Sequence, residues 1–212
     1  CCMEHPKAQT DERIILGIDP GTNVLGYGLL GIRGKEVRMI AMGVIDLRRV
    51  GDIYLKLGRI YERITGIIDS FLPDELAIEA PFLGKNIQTT LKIGRAQGVV
   101  ITAAICRQIP ICEYSPAEIK QAITGRGAAA KEQVAHIMQH TLKIPQEDML
   151  PFLDATDALA AAYCHYLRTA PAGAKKSVAD LLPARRSTGK KKAASWTDFV
   201  YQNKDRVKGL KD

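Results

Sequence analysis

The sequence predicts an α/β fold, a mixed five-stranded sheet flanked by helices, and three observations carry that reading. Between Arg13 and Ile45 the apolar residues fall in short, largely β-branched runs bounded by Gly and Pro. From Asp52 onward the apolar period changes to three and four residues. Helical and strand-like segments then alternate as far as Leu167. A chain of 212 residues is long enough for one good core with short extensions.

Arg13 to Asp19 is an apolar strand that stops at Asp19-Pro20-Gly21-Thr22, where Pro removes a ladder donor and Gly turns the chain. Gly26 to Ile32 and Glu36 to Ile45 are strand-like and joined by a turn around Arg33-Gly34-Lys35, so the first three strands read as an antiparallel meander. Leu57, Ile60, Tyr61, Ile64, Ile68 and Phe71 share one helical face, predicting a helix from about Asp52 to Leu72 that Pro73 ends. Glu75 to Glu79 is a short apolar strand closed by Ala80-Pro81. A long helix is expected from Asn86 to Arg107, with Gly94 and Gly98 one turn apart, followed by a strand from Ile109 to Tyr114. Ser115-Pro116-Ala117-Glu118 places an N-cap, a first-turn Pro and an N3 Glu where a helix start needs them. Thr124-Gly125-Arg126-Gly127 breaks that helix, and two more run from Ala129 to Leu142 and from Asp154 to Leu167. Helices between the later strands imply parallel pairing there, and the order β-β-β-α-β-α-β-α is that of the ribonuclease-H-like fold.

Residues 1–12 read as a disordered leader and 169–212 as a basic linker in which Ser195 to Val207 forms a short helix. The net charge of +7 belongs to that tail, which holds 11 Lys and Arg against 4 Asp and Glu. Residues 1–168 are neutral overall, yet residues 80–131 carry seven cations (Lys85, Lys92, Arg95, Arg107, Lys120, Arg126, Lys131) against Glu113 and Glu118. A locally basic stretch beside acidic strand ends suits a nucleic-acid ligand, and equally a solvated face. The five cysteines form no CxxC pair and leave one over, against a disulfide framework or a structural zinc site. The longest apolar stretch, Val99 to Cys106, is too short to cross a bilayer, and Cys1 to Asp11 is polar, so a cytoplasmic protein is expected.

Four carboxylates carry the chemistry. Asp19 and Glu79 stand at strand exits, and Glu is seldom kept at the end of an apolar strand without a partner. Asp154 and Asp157, three residues apart at a helix start, project from one face. Each has a structural alternative: Asp19 as a turn cap, Asp154 and Asp157 as charges favoured by the helix dipole. If the first and fourth strands are neighbours, Asp19 and Glu79 emerge side by side and the last helix completes a cluster that repels itself unless cations occupy it. Oxygen-only ligands suit Mg²⁺ or Mn²⁺, and two such ions about 3.5–4 Å apart support phosphodiester hydrolysis.

Across residues 13–168 the sequence resembles the RuvC family of Holliday-junction resolvases. The matching stretches are Gly17-Ile18-Asp19-Pro20-Gly21-Thr22 with Gly26-Tyr27-Gly28, Ala77-Ile78-Glu79 with Phe82, Leu91 to Gly98, and Asp154-Ala155-Thr156-Asp157-Ala158-Leu159-Ala160. The resemblance implies a metal-dependent endodeoxyribonuclease in which Asp19, Glu79, Asp154 and Asp157 hold two Mg²⁺ ions, for which Mn²⁺ can substitute. It also implies that Phe82 stacks near the unpaired junction centre and that Lys120 and Lys131 contact phosphates near the cut. Lys131 is in addition a candidate to stabilise charge on the scissile phosphate. Lys85, Lys92, Arg95 and Arg126 are further candidate DNA contacts on charge alone, and Phe82 has a core residue as its alternative. Implied partners are four-way junction DNA, a second copy of the chain and the RuvAB branch-migration machinery, with homologous recombination and repair as the setting. The alternative function is a nuclease of the same fold acting on RNA hybrids or structured RNA.

Overall fold

The computed structural model describes residues 12–81, 86–148 and 153–170. Five strands form one mixed sheet: β1 (Arg13–Asp19), β2 (Val24–Arg33), β3 (Glu36–Asp46), β4 (Glu75–Glu79) and β5 (Ile111–Tyr114). Their spatial order is β3-β2-β1-β4-β5. The meander is antiparallel, with Asp19 opposite Gly26 and Val24 opposite Asp46. β4 joins β1 in parallel with Ile18 beside Ile78, and β5 joins β4 in parallel with Glu79 beside Tyr114. Gly34 supplies the left-handed residue of the β2–β3 turn at φ +61°.

Period-two alternation divides each strand between two cores. Leu16, Ile18, Leu76 and Ile78 face α1 (Ile53–Phe71) and α2 (Ile87–Ile105). Ile15 and Ala77 point the other way, into a core with α3 (Pro116–Thr124), α4 (Lys131–Leu142) and α5 (Leu153–Thr169). Ile15, Leu16, Ile18, Leu76 and Ile78 are all fully buried, each contributing about 1.5–3 kcal/mol through lost apolar hydration. Helix α5 is buried on every side from Ala155 to Tyr166, because it lies between the sheet and the layer of α3 and α4.

The local signals explain the boundaries. Asp52 caps α1 by accepting from the Tyr54 N–H, and Leu72 ends it in the left-handed region. Ser115 and Glu118 form a complete capping box at α3, and Gly125 closes that helix at φ +73°. Several predicted bounds shift. α4 begins at Lys131 rather than Ala129, and a short 3₁₀ turn, Gln146–Asp148, was not anticipated. β5 begins at Ile111 because Pro110 offers only its carbonyl, which accepts from the Leu76 N–H at 2.9 Å. Leu91 to Gly98 lies within α2, but the predicted leader and the predicted helix from Ser195 to Val207 fall outside the described residues.

Candidate active site

Asp19 and Glu79 end neighbouring parallel strands one position beyond the paired Ile18 and Ile78, so they leave the sheet side by side, on the face that carries α5. That helix lies unusually close to the sheet, since a Cβ on Gly26 would stand 2.0 Å from the Asp154 carbonyl oxygen. One on Gly17 would stand 2.0 Å from the Ala158 carbonyl oxygen. These glycines form a seat for α5, and seating it brings Asp154 and Asp157 to the strand ends. The side chain of Asp157 is almost fully buried, and that of Lys131, half-exposed on α4, donates a hydrogen bond to Asp157 Oδ2.

The electrostatics show four acids in one another's field. Burial, then the charges of Glu79 and Asp157, push the Asp19 carboxyl well above its ordinary value, with Lys131 opposing and Asp154 adding to the rise. Burial and Asp157 likewise raise Glu79 to about 7, against the pull of Lys131 and Lys120. Lys131 loses hydration here, yet its bond to Asp157 and the charges of Asp157, Asp19 and Glu79 hold its ammonium above the usual lysine range. Two lysines thus leave the negative charge of four acids incompletely compensated.

The donor set fits a hard divalent cation: oxygen ligands only, mutually repelling, from two strand ends and one helix face. Among the described residues no three His, Cys, Asp or Glu side chains stand at metal-binding separation as they are placed, and Asp157 is instead engaged by Lys131. The carboxylates fit by chemistry and mutual field.

Of the predicted site residues, the structure brings together Asp19, Glu79, Asp154, Asp157 and Lys131, with Lys120 near enough to act on Glu79. Lys92 and Arg95 are exposed on α2, and Arg126 is exposed on the loop after α3, its backbone N–H donating to Thr124 Oγ1 at 3.0 Å. Phe82 and Lys85 lie outside the described residues. Gly94 and Gly98 face open space, so packing against the sheet does not explain them. With the exposed Ile87, Leu91 and Ile105 they form an apolar stripe along α2.

Sequence reasoning quoted Gly17 and Gly26 without seeing that they seat α5. It also missed a second polar cluster, at the opposite end of the same helix. There His165, buried on α5, bonds Glu75 through Nε2 and Tyr114 Oη through Nδ1 at 2.7 Å. Arg13 Nε donates to Glu75 Oε1 at 3.1 Å, and the Arg13 guanidinium also donates to Thr169 Oγ1 at 2.7 Å.

Residues 15–165 match the family described as Crossover junction endodeoxyribonuclease RuvC. The chain belongs to the RuvC family. A RuvC from Porphyromonas gingivalis is 54% identical over 197 residues, 93% of this chain and 98% of the relative. The solved RuvC of Thermus thermophilus superimposes with a TM-score of 0.65 at 33% identity, covering 73% of this chain and 95% of that one. A Thermus thermophilus RuvC solved with a Holliday junction substrate gives a TM-score of 0.66 at 31% identity, covering 72% and 92%. RuvC proteins are metal-dependent nucleases, and among the described residues of this one no helix is long and apolar enough to cross a membrane.

Proposed function

We propose that this RuvC-family chain resolves four-way DNA junctions, hydrolysing one phosphodiester in each of two strands to leave nicked duplexes. The observation that carries the reading is the placement of Asp19 and Glu79 at adjacent strand ends, each raised by burial and by the other acids of the cluster. The relative solved with a Holliday junction supports the choice of substrate.

Asp19, Glu79, Asp154 and Asp157 would hold two Mg²⁺ ions, replaceable by Mn²⁺. When bound, such ions supply an activated water and neutralise charge on the leaving oxygen. The protein's own part is positional. The strand ends fix Asp19 and Glu79, and the glycine seat sets Asp154 and Asp157 against them. Lys131, bonded to Asp157, would pass its ammonium to the charge developing on the scissile phosphate. Lys120 contributes positive charge on the Glu79 side. Phe82 would offer a π-face to unstacked bases, and Lys85, Lys92, Arg95 and Arg126 would contact backbone phosphates.

A four-way junction has two-fold character, and two cuts at related positions call for two sites. The stripe of exposed Ile87, Leu91, Gly98 and Ile105 with half-buried Gly94 suits close approach of a second copy of α2, which supports a homodimer. RuvAB is the branch-migration partner implied by the family, and the cytoplasm the compartment where it would meet DNA.

The test is cleavage by the purified protein with Mg²⁺. A mobile four-way junction should give two nicked duplexes, while a linear duplex of the same sequence and an RNA hybrid should survive. Equal cleavage of all three would leave a nuclease without junction selectivity.

A further inference from the structure

The lysines that act on the carboxylates come from the N-terminal part of α4 and from α3, in the layer that covers α5. The sheet also has a β3 side, and its topology places a second pair of cations there. β1 and β3 both run antiparallel to β2, so β3 ends at the same edge of the sheet as Asp19. Asp46, the last residue of β3, pairs with Val24, whereas Asp19 pairs with Gly26. The end of β3 therefore lies two strand spacings to the side of Asp19, roughly 10 Å, and two residues further out, roughly 7 Å. The next turn carries Arg48 and Arg49, both exposed, on a rim beyond that strand end.

This rim is joined firmly to the catalytic turn. Leu47, fully buried, donates its N–H to the Asn23 carbonyl at 2.8 Å, and the Val50 N–H closes the turn onto the Leu47 carbonyl at 3.1 Å. Lys56, from the first turn of α1, donates to the Thr22 carbonyl at 2.9 Å and to Asn23 Oδ1 at 3.0 Å. Thr22 and Asn23 belong to the turn that follows Asp19, so the arginines keep a fixed offset from that carboxylate.

The two arginines differ in their neighbours. Arg48 is gripped by Asp46, its Nε donating to Oδ1 at 3.0 Å and its Nη2 to Oδ2 at 2.6 Å. That pair offsets its own charge. The other nearby acid, Asp52, is engaged as the N-cap of α1. The structure gives Arg49 no hydrogen bond or ion pair among the described residues, its charge reaching Asp46 only through space, and it shares the turn with a neighbour that is already held.

We propose that Arg49 is a phosphate-binding residue for a duplex arm of the substrate, on the rim beyond the end of β3. The inference rests on the junction-cleaving reading. The geometry suits it because the turn leaves β3 at Asp46, whose offset from Asp19, roughly 10 Å across and 7 Å outward, is close to the width of a DNA major groove, about 12 Å. A phosphodiester lying at the carboxylates then presents a phosphate across the groove to this rim. A guanidinium offers the flat, two-pronged donor geometry that a phosphate accepts.

The experiment measures cleavage of a four-way junction by the full chain with Mg²⁺ over a range of KCl concentrations, for the unmodified protein, Arg49→Ala and Arg33→Ala. Arg33 ends β2 at the opposite edge of the sheet and removes the same charge from a different place. Arg49→Ala should lower kcat/KM about threefold to tenfold at low salt, flatten its slope against log salt by about 0.9, the value for one lost phosphate contact, and leave kcat unchanged. Arg33→Ala should do neither. An unchanged slope in Arg49→Ala, or an equal change in Arg33→Ala, overturns the inference while the unmodified protein still cuts the junction. If the unmodified protein does not cut the junction, the functional reading falls and takes this inference with it.

Discussion

Glu75 and Glu79 stand on one strand, point to one face and lie under one helix, yet the protein treats them in opposite ways. At the far end of α5, burial pushes Glu75 up, but hydrogen bonds from Arg13 and His165 outweigh it and hold the carboxyl below its ordinary value. At the near end, burial pushes Glu79 up to about 7, with the charge of Asp157 beside it. The first acid is paired and bonded on several sides. The second sits with three more acids and is opposed by Lys131 and Lys120. A buried acid given its partners holds a helix to a sheet, whereas an acid cluster left short of positive charge is strained until a cation joins it. On the proposed function, the difference separates structure from function within a single strand.

The largest expected effect comes from removing one of the unpaired acids. Asp19→Asn should slow junction cutting by about 10²–10³-fold or more while junction binding persists. Its melting temperature without metal should hold or rise, because a repelled charge has gone. A gel cleavage assay beside a binding assay and a melting curve checks all three, and loss of binding together with cutting would assign Asp19 a structural role. The matching change at the paired end has the opposite profile. His165→Phe leaves Glu75 and the Tyr114 hydroxyl without their central partner and should cost about 2–4 kcal/mol of stability. Chemical denaturation measures it; an unchanged midpoint would mean the His165 cluster adds nothing to the seating of α5.

Between the two ends lies the seat. Gly26→Ala puts a methyl 2.0 Å from the Asp154 carbonyl oxygen, so α5 must lift at the end that carries Asp154 and Asp157. Overpacking of this kind costs about 1–3 kcal/mol, and a displacement near 1 Å at a reacting centre can lower a rate by about 10²-fold. Gly26→Ala should therefore lose activity out of proportion to stability. Gly17→Ala, which meets the Ala158 carbonyl oxygen further along the helix, should lose stability with a smaller effect on rate. Equal losses of rate in the two variants would show that α5 moves as one body and that its ends are not separable.

The legible parts of the molecule are those fixed by near neighbours in sequence. Asp19 could be placed at a strand exit because Pro20 and Gly21 stop the strand, and Glu79 drew notice as a carboxylate ending an apolar run. The α3 capping box could be read from four consecutive residues. The companions of Glu75 could not, because Arg13 and His165 meet it only after β1 pairs with β4 and α5 crosses the sheet. Glu75 in sequence is merely the polar first residue of a strand. The role of Gly26 was hidden for the same reason: its need for no side chain depends on a helix more than a hundred residues away. Lys131 was expected at a phosphate, and its bond to Asp157 depends on how α4 packs against α5.

The smallest effect is the one that most directly compares the two acids, the pH dependence of stability without metal. Glu79 is an acid whose folded pKa is raised, so the unfolded chain ionises first and stability falls as pH rises from its ordinary 4.5 to about 7, then levels. At full weight that shift is worth roughly 3 kcal/mol, and partial contact with solvent reduces it to about 2. Asp19, also raised, adds in the same direction. Glu75 is lowered, so its stabilisation is complete above the ordinary glutamate value and is lost as pH falls through the folded one. Melting curves from pH 4 to 8 in EDTA should show a limb falling toward high pH that Glu79→Gln flattens, and an acid limb that Glu75→Gln reduces in part. Saturating Mg²⁺ should lift the high-pH limb alone, since a bound cation favours the ionised acids and has no site near Glu75. If Glu79→Gln left the high-pH limb intact, the strain would have to reside in Asp19, and the contrast would belong to neighbouring strands rather than to two positions on one.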